Sequence, residues 1–169
     1  PSFAEYRRAL EAIDCDIESV MLTQDHQFCV NHTLLNLLTE KIDCLILCTP
    51  NNPTGRLIEP ELLCALFHRC QELNIKLLLD ESFIDFTPNK HVTIAQLDRF
   101  PNLALLRSVT KFFAIPGIRL GFLLSSDTQL LRQIHQRQIG PAHLWQCRRR
   151  TGPHRIHCLK CPGSGCRNH

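Results

Sequence analysis

An α/β fold, with a mainly parallel sheet and flanking helices, is predicted by two observations in this 169-residue sequence. Three nearly continuous apolar runs, 42–48, 75–79 and 103–106, lack the alternation of half-exposed strands and read as strands covered on both faces. An amphipathic segment separates the first two, and strand, helix, strand in that order makes a right-handed crossover unit of a parallel sheet.

Composition agrees with a soluble globular protein: 44% hydrophobic and 21% charged residues. No apolar run reaches the length of a membrane span and no secretory signal opens the sequence, so a cytoplasmic protein without membrane contact is expected. The net charge of +3 hides a split. Residues 140–169 contain six Lys/Arg and no acid, leaving 13 basic against 16 acidic residues in 1–139, a formal −3. That balance argues against nucleic-acid binding by the body of the chain. Cys15, Cys29, Cys44, Cys48, Cys64 and Cys70 are scattered through apolar or helical stretches and read as reduced, small hydrophobes in a reducing compartment.

Taken in order, Ser2 with Glu5 three residues on predicts a helix start, and Phe3, Tyr6, Leu10 and Ile13 give it an apolar stripe. Residues 17–22 are expected to form a short strand. Residues 31–40 should form a capped helix with Leu34, Leu35, Leu37 and Leu38 inward. The segment 59–73 is the clearest helix, with Pro60 in its first turn and Leu62, Leu63, Leu66, Phe67, Cys70 and Leu73 on one face; His68 reads as a surface residue. A short helix over 93–100 precedes the strands 103–106 and 118–124, and Ser125-Ser126-Asp127 caps a helix from 128 to about 139.

Chemistry-bearing residues sit at the strand ends. Asn51-Asn52-Pro53-Thr54-Gly55 follows the first buried strand; these are turn residues, yet ligands in open α/β sheets gather outside the carboxyl ends of strands, where an Asn52 amide can donate to a ligand oxygen. Asp80 ends the second run. A carboxylate there is either a cap or loop acid, or it needs a cationic partner to offset its burial. Glu81 and Asp85 read as solvent-facing or hydrogen-bonded loop acids. Lys111 follows the third run among aromatic and β-branched residues, where a lysine either snorkels to water or is desolvated into a nucleophile. Ser108 lies just upstream, Arg119 downstream, and Pro116-Gly117 turns the chain between them. A lysine with a hydroxyl and a guanidinium nearby suits a phosphorylated carbonyl cofactor held covalently.

Three motifs in this order, Asn51-Asn52-Pro53-Thr54-Gly55, Asp80-Glu81-Ser82-Phe83-Ile84-Asp85-Phe86 and the segment from Ser108 to Arg119, resemble those of the fold-type I, class I/II aminotransferase superfamily. The resemblance covers residues 1–139 and implies part of the large domain of a homodimeric enzyme that uses pyridoxal 5'-phosphate. By resemblance Lys111 and Asp80 are catalytic, and Asn52, Asp80, Ser108, Lys111 and Arg119 bind the cofactor: lysine for the covalent link, aspartate for the ring nitrogen, asparagine for the ring's phenolic oxygen, serine and arginine for the phosphate. No metal is implied. The wording is most similar to the branch that decarboxylates threonine phosphate in cobalamin biosynthesis, and Phe83, where many relatives carry tyrosine, leans the same way. The alternatives are a histidinol-phosphate-type aminotransferase or a non-catalytic fragment. Either enzyme would act on a small phosphorylated amino acid.

Residues 140–169 break the pattern, being rich in Arg, Cys, His, Pro and Gly, with the only tryptophan, Trp145. Cys158, Cys161, Cys166 and His169, with His154 and His157, hold enough soft ligands for zinc beside arginines that would then touch nucleic acid, but their spacing matches no known module. Out-of-frame translation is the favoured reading, so the tail is not expected to be a domain. A first residue other than Met points to a longer chain, and a fragment missing the family's phosphate loop and substrate clamp is expected to be inactive.

Overall fold

The computed structural model describes residues 2–88, 92–115, 117 and 120–137, together with the backbone of 146–148 and 155–159. The chain divides into two compact units, 1–80 and 81–169.

The first unit is α/β. Helix α1 (Ala4–Glu11) is followed by α2 (Thr33–Leu37), strand β1 (Cys44–Cys48), helix α3 (Pro60–Glu72) and strand β2 (Lys76–Asp80). β1 and β2 pair in parallel, Cys44 against Lys76 through Cys48 against Asp80, which is the crossover unit expected from the sequence. α3 begins with Pro60 in its first turn, where the missing N–H is no loss. It ends as Asn74 takes a left-handed φ of 56° and the Ile75 N–H reaches back to the Cys70 carbonyl at 2.8 Å. Leu62, Leu63, Leu66, Phe67 and Cys70 are buried on one helix face and Ile75, Leu77 and Leu79 on the following strand. Each such aliphatic side chain contributes about 1.5–3 kcal/mol on leaving water.

Three expectations in this unit change. Residues 17–22 form no strand: Val20 and Met21 are 48% and 80% exposed, and a short apolar run without a covering layer has no driving force to pair. α1 buries no residue, and Phe3, not Ser2, occupies its cap position. Leu34 in α2 and Leu38 at its C-terminal cap are buried, while Leu37, the last helical residue, points outward. The cysteine reading holds for buried Cys48 and Cys70, whereas Cys15, Cys44 and Cys64 are exposed.

The second unit opens with 3-10 turns at Ile84–Phe86 and Ile94–Gln96; the latter stands where a longer helix was expected, with Leu97 and Phe100 buried just after it. Strand β3 (Leu103–Ser108) leads into the single turn α4 (Val109–Phe112), strand β4 (Gly121–Ser125) and helix α5 (Thr128–Arg137), whose start is capped by Asp127 Oδ1 accepting the Leu130 N–H at 2.9 Å. β3 and β4 are antiparallel, Ala104 against Ser125 through Ser108 against Gly121. Among its described residues the short link between them holds a single helical turn, and a parallel return needs a full crossover. Gly121 is obligatory in that register, since a Cβ there would lie 2.8 Å from the Arg107 carbonyl oxygen. The backbones of β5 (Gln146–Arg148) and β6 (Arg155–Leu159) pair antiparallel with each other, and β6 pairs with β4. The zinc reading of the tail rests on side chains outside the described residues.

Candidate functional site

Because β1 and β2 run parallel with Cys48 opposite Asp80, both strands present their carboxyl ends at one edge. The chain leaves β1 there through Thr49, whose N–H donates to the Asp80 carbonyl at 2.9 Å and whose hydroxyl accepts the Ile58 N–H at 3.1 Å. Between these anchors the turn closes on itself. Asn51 N–H donates to the Arg56 carbonyl at 2.8 Å, Gly55 N–H to the Asn51 carbonyl at 2.7 Å, and the Asn51 amide to the Thr54 hydroxyl at 2.8 Å; Gly55 takes φ 69°, which suits glycine. Asn51 is thus spent on the turn. Asn52 is half-buried, and its side chain makes no hydrogen bond to another described residue. The amide is available to a ligand at the strand edge.

Asp80 is 6% exposed, so its carboxylate is out of bulk water as expected. The Tyr6 hydroxyl of α1 donates to its Oδ2. Burial pushes the Tyr6 phenol far above the ordinary tyrosine range, and the hydrogen bond to Asp80 adds to the shift, so Tyr6 remains a donor. Sequence reasoning missed this contact, reading Tyr6 as part of an apolar stripe. The clue was that a stripe with one hydroxyl has a polar tip to satisfy.

In the second unit Ser108 is the last residue of β3 and Lys111 lies in α4, which follows directly. Ser108 precedes α4, and its hydroxyl lies 2.9 Å from that of Thr110. Lys111 is exposed, not desolvated; its Nζ sits 5.0 Å from the centre of the Phe83 ring, a cation–π distance. The apolar setting read from sequence is therefore a ring face beside the amine. Phe83 continues into a row of rings, Phe86, Phe112 and Phe113, with centroids 6.4, 5.4 and 5.3 Å apart in succession. Arg119 lies outside the described residues.

Glu81 departs from the loop acid expected. Its side chain is fully buried, and Arg107 Nε and Nη2 both donate to Oε2, at 2.9 and 2.7 Å. Burial raises the Glu81 carboxyl above the usual range; the charge and the two hydrogen bonds of Arg107 offset part of that rise. This is a structural ion pair at the strand ends of the unit, not a surface contact.

Against known families, residues 1–144 match the model for aminotransferase class I and II. The chain belongs to that family. Class I and II aminotransferases and their decarboxylase relatives depend on pyridoxal phosphate, as the three motifs implied. The threonine-phosphate decarboxylase of Salmonella typhimurium is 47% identical over 139 residues, covering 82% of this chain and 38% of that protein. A histidinol-phosphate aminotransferase from Vibrio vulnificus is 35% identical over 127 residues, 75% of this chain and 36% of its own. Among solved structures, the histidinol-phosphate aminotransferase from Clostridium acetobutylicum superposes with a TM-score of 0.75 at 27% identity, over 82% of this chain and 41% of that one. The L-threonine-O-3-phosphate decarboxylase from Porphyromonas gingivalis shares the fold with a TM-score of 0.65 at 24% identity, over 81% and 39% of the two chains. The chain therefore spans about two fifths of the length of these relatives. Among the described residues no helix is long and apolar enough to cross a membrane.

Proposed function

We propose that residues 1–139 are part of the cofactor-binding large domain of a pyridoxal-phosphate enzyme that decarboxylates a small phosphorylated amino acid, threonine phosphate being the first candidate, with residues 140–169 outside that domain. The observation that carries the reading is the buried carboxylate at the carboxyl end of β2, beside a half-buried asparagine amide without a described partner. The donor set fits the group: an anion for a ring nitrogen, an amide donor for a ring oxygen, a primary amine for a carbonyl and a hydroxyl for a phosphate. When bound, pyridoxal phosphate supplies a conjugated ring that accepts the electron pair released at the amino acid's α carbon.

The protein's own residues do the rest. Asp80 holds a proton on the ring nitrogen, since a buried anion needs a cationic partner and favours one. Asn52 donates to the ring's phenolic oxygen. Lys111 would hold the cofactor's carbonyl carbon through its Nζ, which the exposure of this residue leaves accessible and which lies against the Phe83 ring face. Ser108, with Arg119, takes the phosphate. The bond that breaks is the one held perpendicular to the ring, so orientation of the substrate carboxylate decides between decarboxylation and amino transfer. Phe83 and the 47% identity to a threonine-phosphate decarboxylase favour the first; the aminotransferase relatives at 35% keep the second in view. A homodimeric, cytoplasmic enzyme is part of the same proposal.

The test is to supply the whole protein with pyridoxal phosphate and threonine phosphate, and to measure carbon dioxide and amino transfer to a 2-oxo acid in parallel. Carbon dioxide without amino transfer is expected. Amino transfer from histidinol phosphate with no carbon dioxide from threonine phosphate would replace the reading with the aminotransferase one.

A further inference from the structure

We propose that Tyr6 is the positioning residue for Asp80, fixing the carboxylate that faces the cofactor's ring nitrogen; this rests on the cofactor reading above. A carboxylate has about four lone-pair sites over two oxygens, and a single buried one can rotate among them. The Tyr6 hydroxyl has one proton and gives it to Oδ2, which pins the carboxylate plane from one side. The donor itself is well placed to stay put. Tyr6 lies in the first turn of α1, its ring edge-on to Phe3 at 5.6 Å, and its phenol is held protonated by burial and by Asp80. A phenol held protonated beside a carboxylate stays its donor at neutral pH. The Cys48 side chain, which interacts with the same hydroxyl, belongs to the residue opposite Asp80 in the strand register, so α1 is tied to both strand ends through one phenol. Tyr6 touches neither substrate nor cofactor in this scheme. Its effect reaches the ring only through Asp80.

Tyr6 is the only tyrosine in the chain, so tyrosinate absorbance near 295 nm reads this one group. In the protein without cofactor, no tyrosine titration is expected in the ordinary range near pH 10, whereas Asp80→Asn should bring the titration down measurably, because one of the causes holding the phenol protonated is gone. An ordinary titration in the wild type, or one indifferent to Asp80→Asn, overturns the contact. The second arm measures binding of pyridoxal phosphate and of its analogue with carbon in place of the ring nitrogen. Tyr6→Phe should weaken pyridoxal phosphate about 5- to 10-fold, the worth of one hydrogen bond, and leave the analogue's affinity within about twofold of wild type. Equal loss for both ligands makes Tyr6 a merely structural residue and overturns the proposal. If the wild type binds neither, the cofactor reading itself fails and takes the positioning role with it, while the titration still reports separately whether Tyr6 and Asp80 are joined.

Discussion

Replacing Arg107 with methionine should destabilise the protein severely, and the structure sets the size and the pH dependence of the loss. Methionine keeps most of the buried volume, so packing is not the dominant change. What is lost is the cation: the Glu81 side chain is 0% exposed and both described donors to its Oε2 come from Arg107. Removing one partner of a buried pair strands the other charge, at about 3–5 kcal/mol. For a chain of this size that is a fall in Tm of roughly 10 °C or more. The pH dependence follows from the direction of the Glu81 shift. Burial raises its folded-state pKa above the unfolded value, so the folded protein binds the extra proton; the stability linked to this group is full below the unfolded pKa and is lost as pH rises through the folded one. Arg107 opposes that rise, and without it the folded pKa climbs further. The Arg107→Met variant should therefore lose least near pH 4.5 and most at pH 8, a slope the wild type shows only weakly. Urea unfolding followed by circular dichroism at the two pH values measures it. The double variant Glu81→Met, Arg107→Met should recover most of the loss, since an apolar pair leaves no stranded charge. A single variant within about 1 kcal/mol of wild type, or a double variant as unstable as the single, refutes this account.

Further expectations follow from the site. Asp80→Asn should retain pyridoxal phosphate weakly and lose most turnover, because a neutral amide cannot hold the ring nitrogen protonated; undiminished carbon dioxide release in that variant removes Asp80 from the chemistry. Lys111→Ala should abolish the borohydride-reducible adduct with the cofactor, and mass-spectrometric peptide mapping that finds the adduct on another lysine contradicts the assignment. Gly121→Ala should destabilise the β3/β4 pair by about 1–3 kcal/mol, as a methyl group 2.8 Å from the Arg107 carbonyl oxygen forces the strands apart; hydrogen exchange of the β4 amides reads this directly, and unchanged protection counts against it.

The layered α/β core was legible because burial writes itself into sequence as runs and faces. The run 75–79 and the face Leu62, Leu66, Cys70 admit few other readings, and β2 and α3 fall within a residue of where those patterns put them. The burial of Asp80 was legible for the same reason: a carboxylate ending an apolar run stands out. Contacts between side chains distant in sequence were not. Tyr6 and Asp80 are 74 residues apart, Glu81 and Arg107 26, and no local pattern links either pair. Glu81 was misread because a carboxylate immediately after a strand looks the same whether an arginine waits for it or water does. The strand expected over 17–22 failed on the other side of that rule, since its apolar residues had nothing to pack against.

The row of rings from Phe83 to Phe113 bears on what selection can see. Phe86 and Phe113 are 60% and 63% exposed, so hydrophobic burial within the chain contributes little to keeping them; their edge-to-face contacts with Phe112 amount to about 0.5–1.5 kcal/mol each. A polar residue at Phe113 would forfeit no more than that one ring contact, and solubility would gain from it. Folding thus leaves these positions open to drift towards Ser, Gln or Lys, in contrast to Leu66 or Leu105, which sit at 0% exposure and are fixed by packing alone. Comparison of orthologous sequences at these two kinds of position separates constraint imposed by the fold from constraint imposed by use.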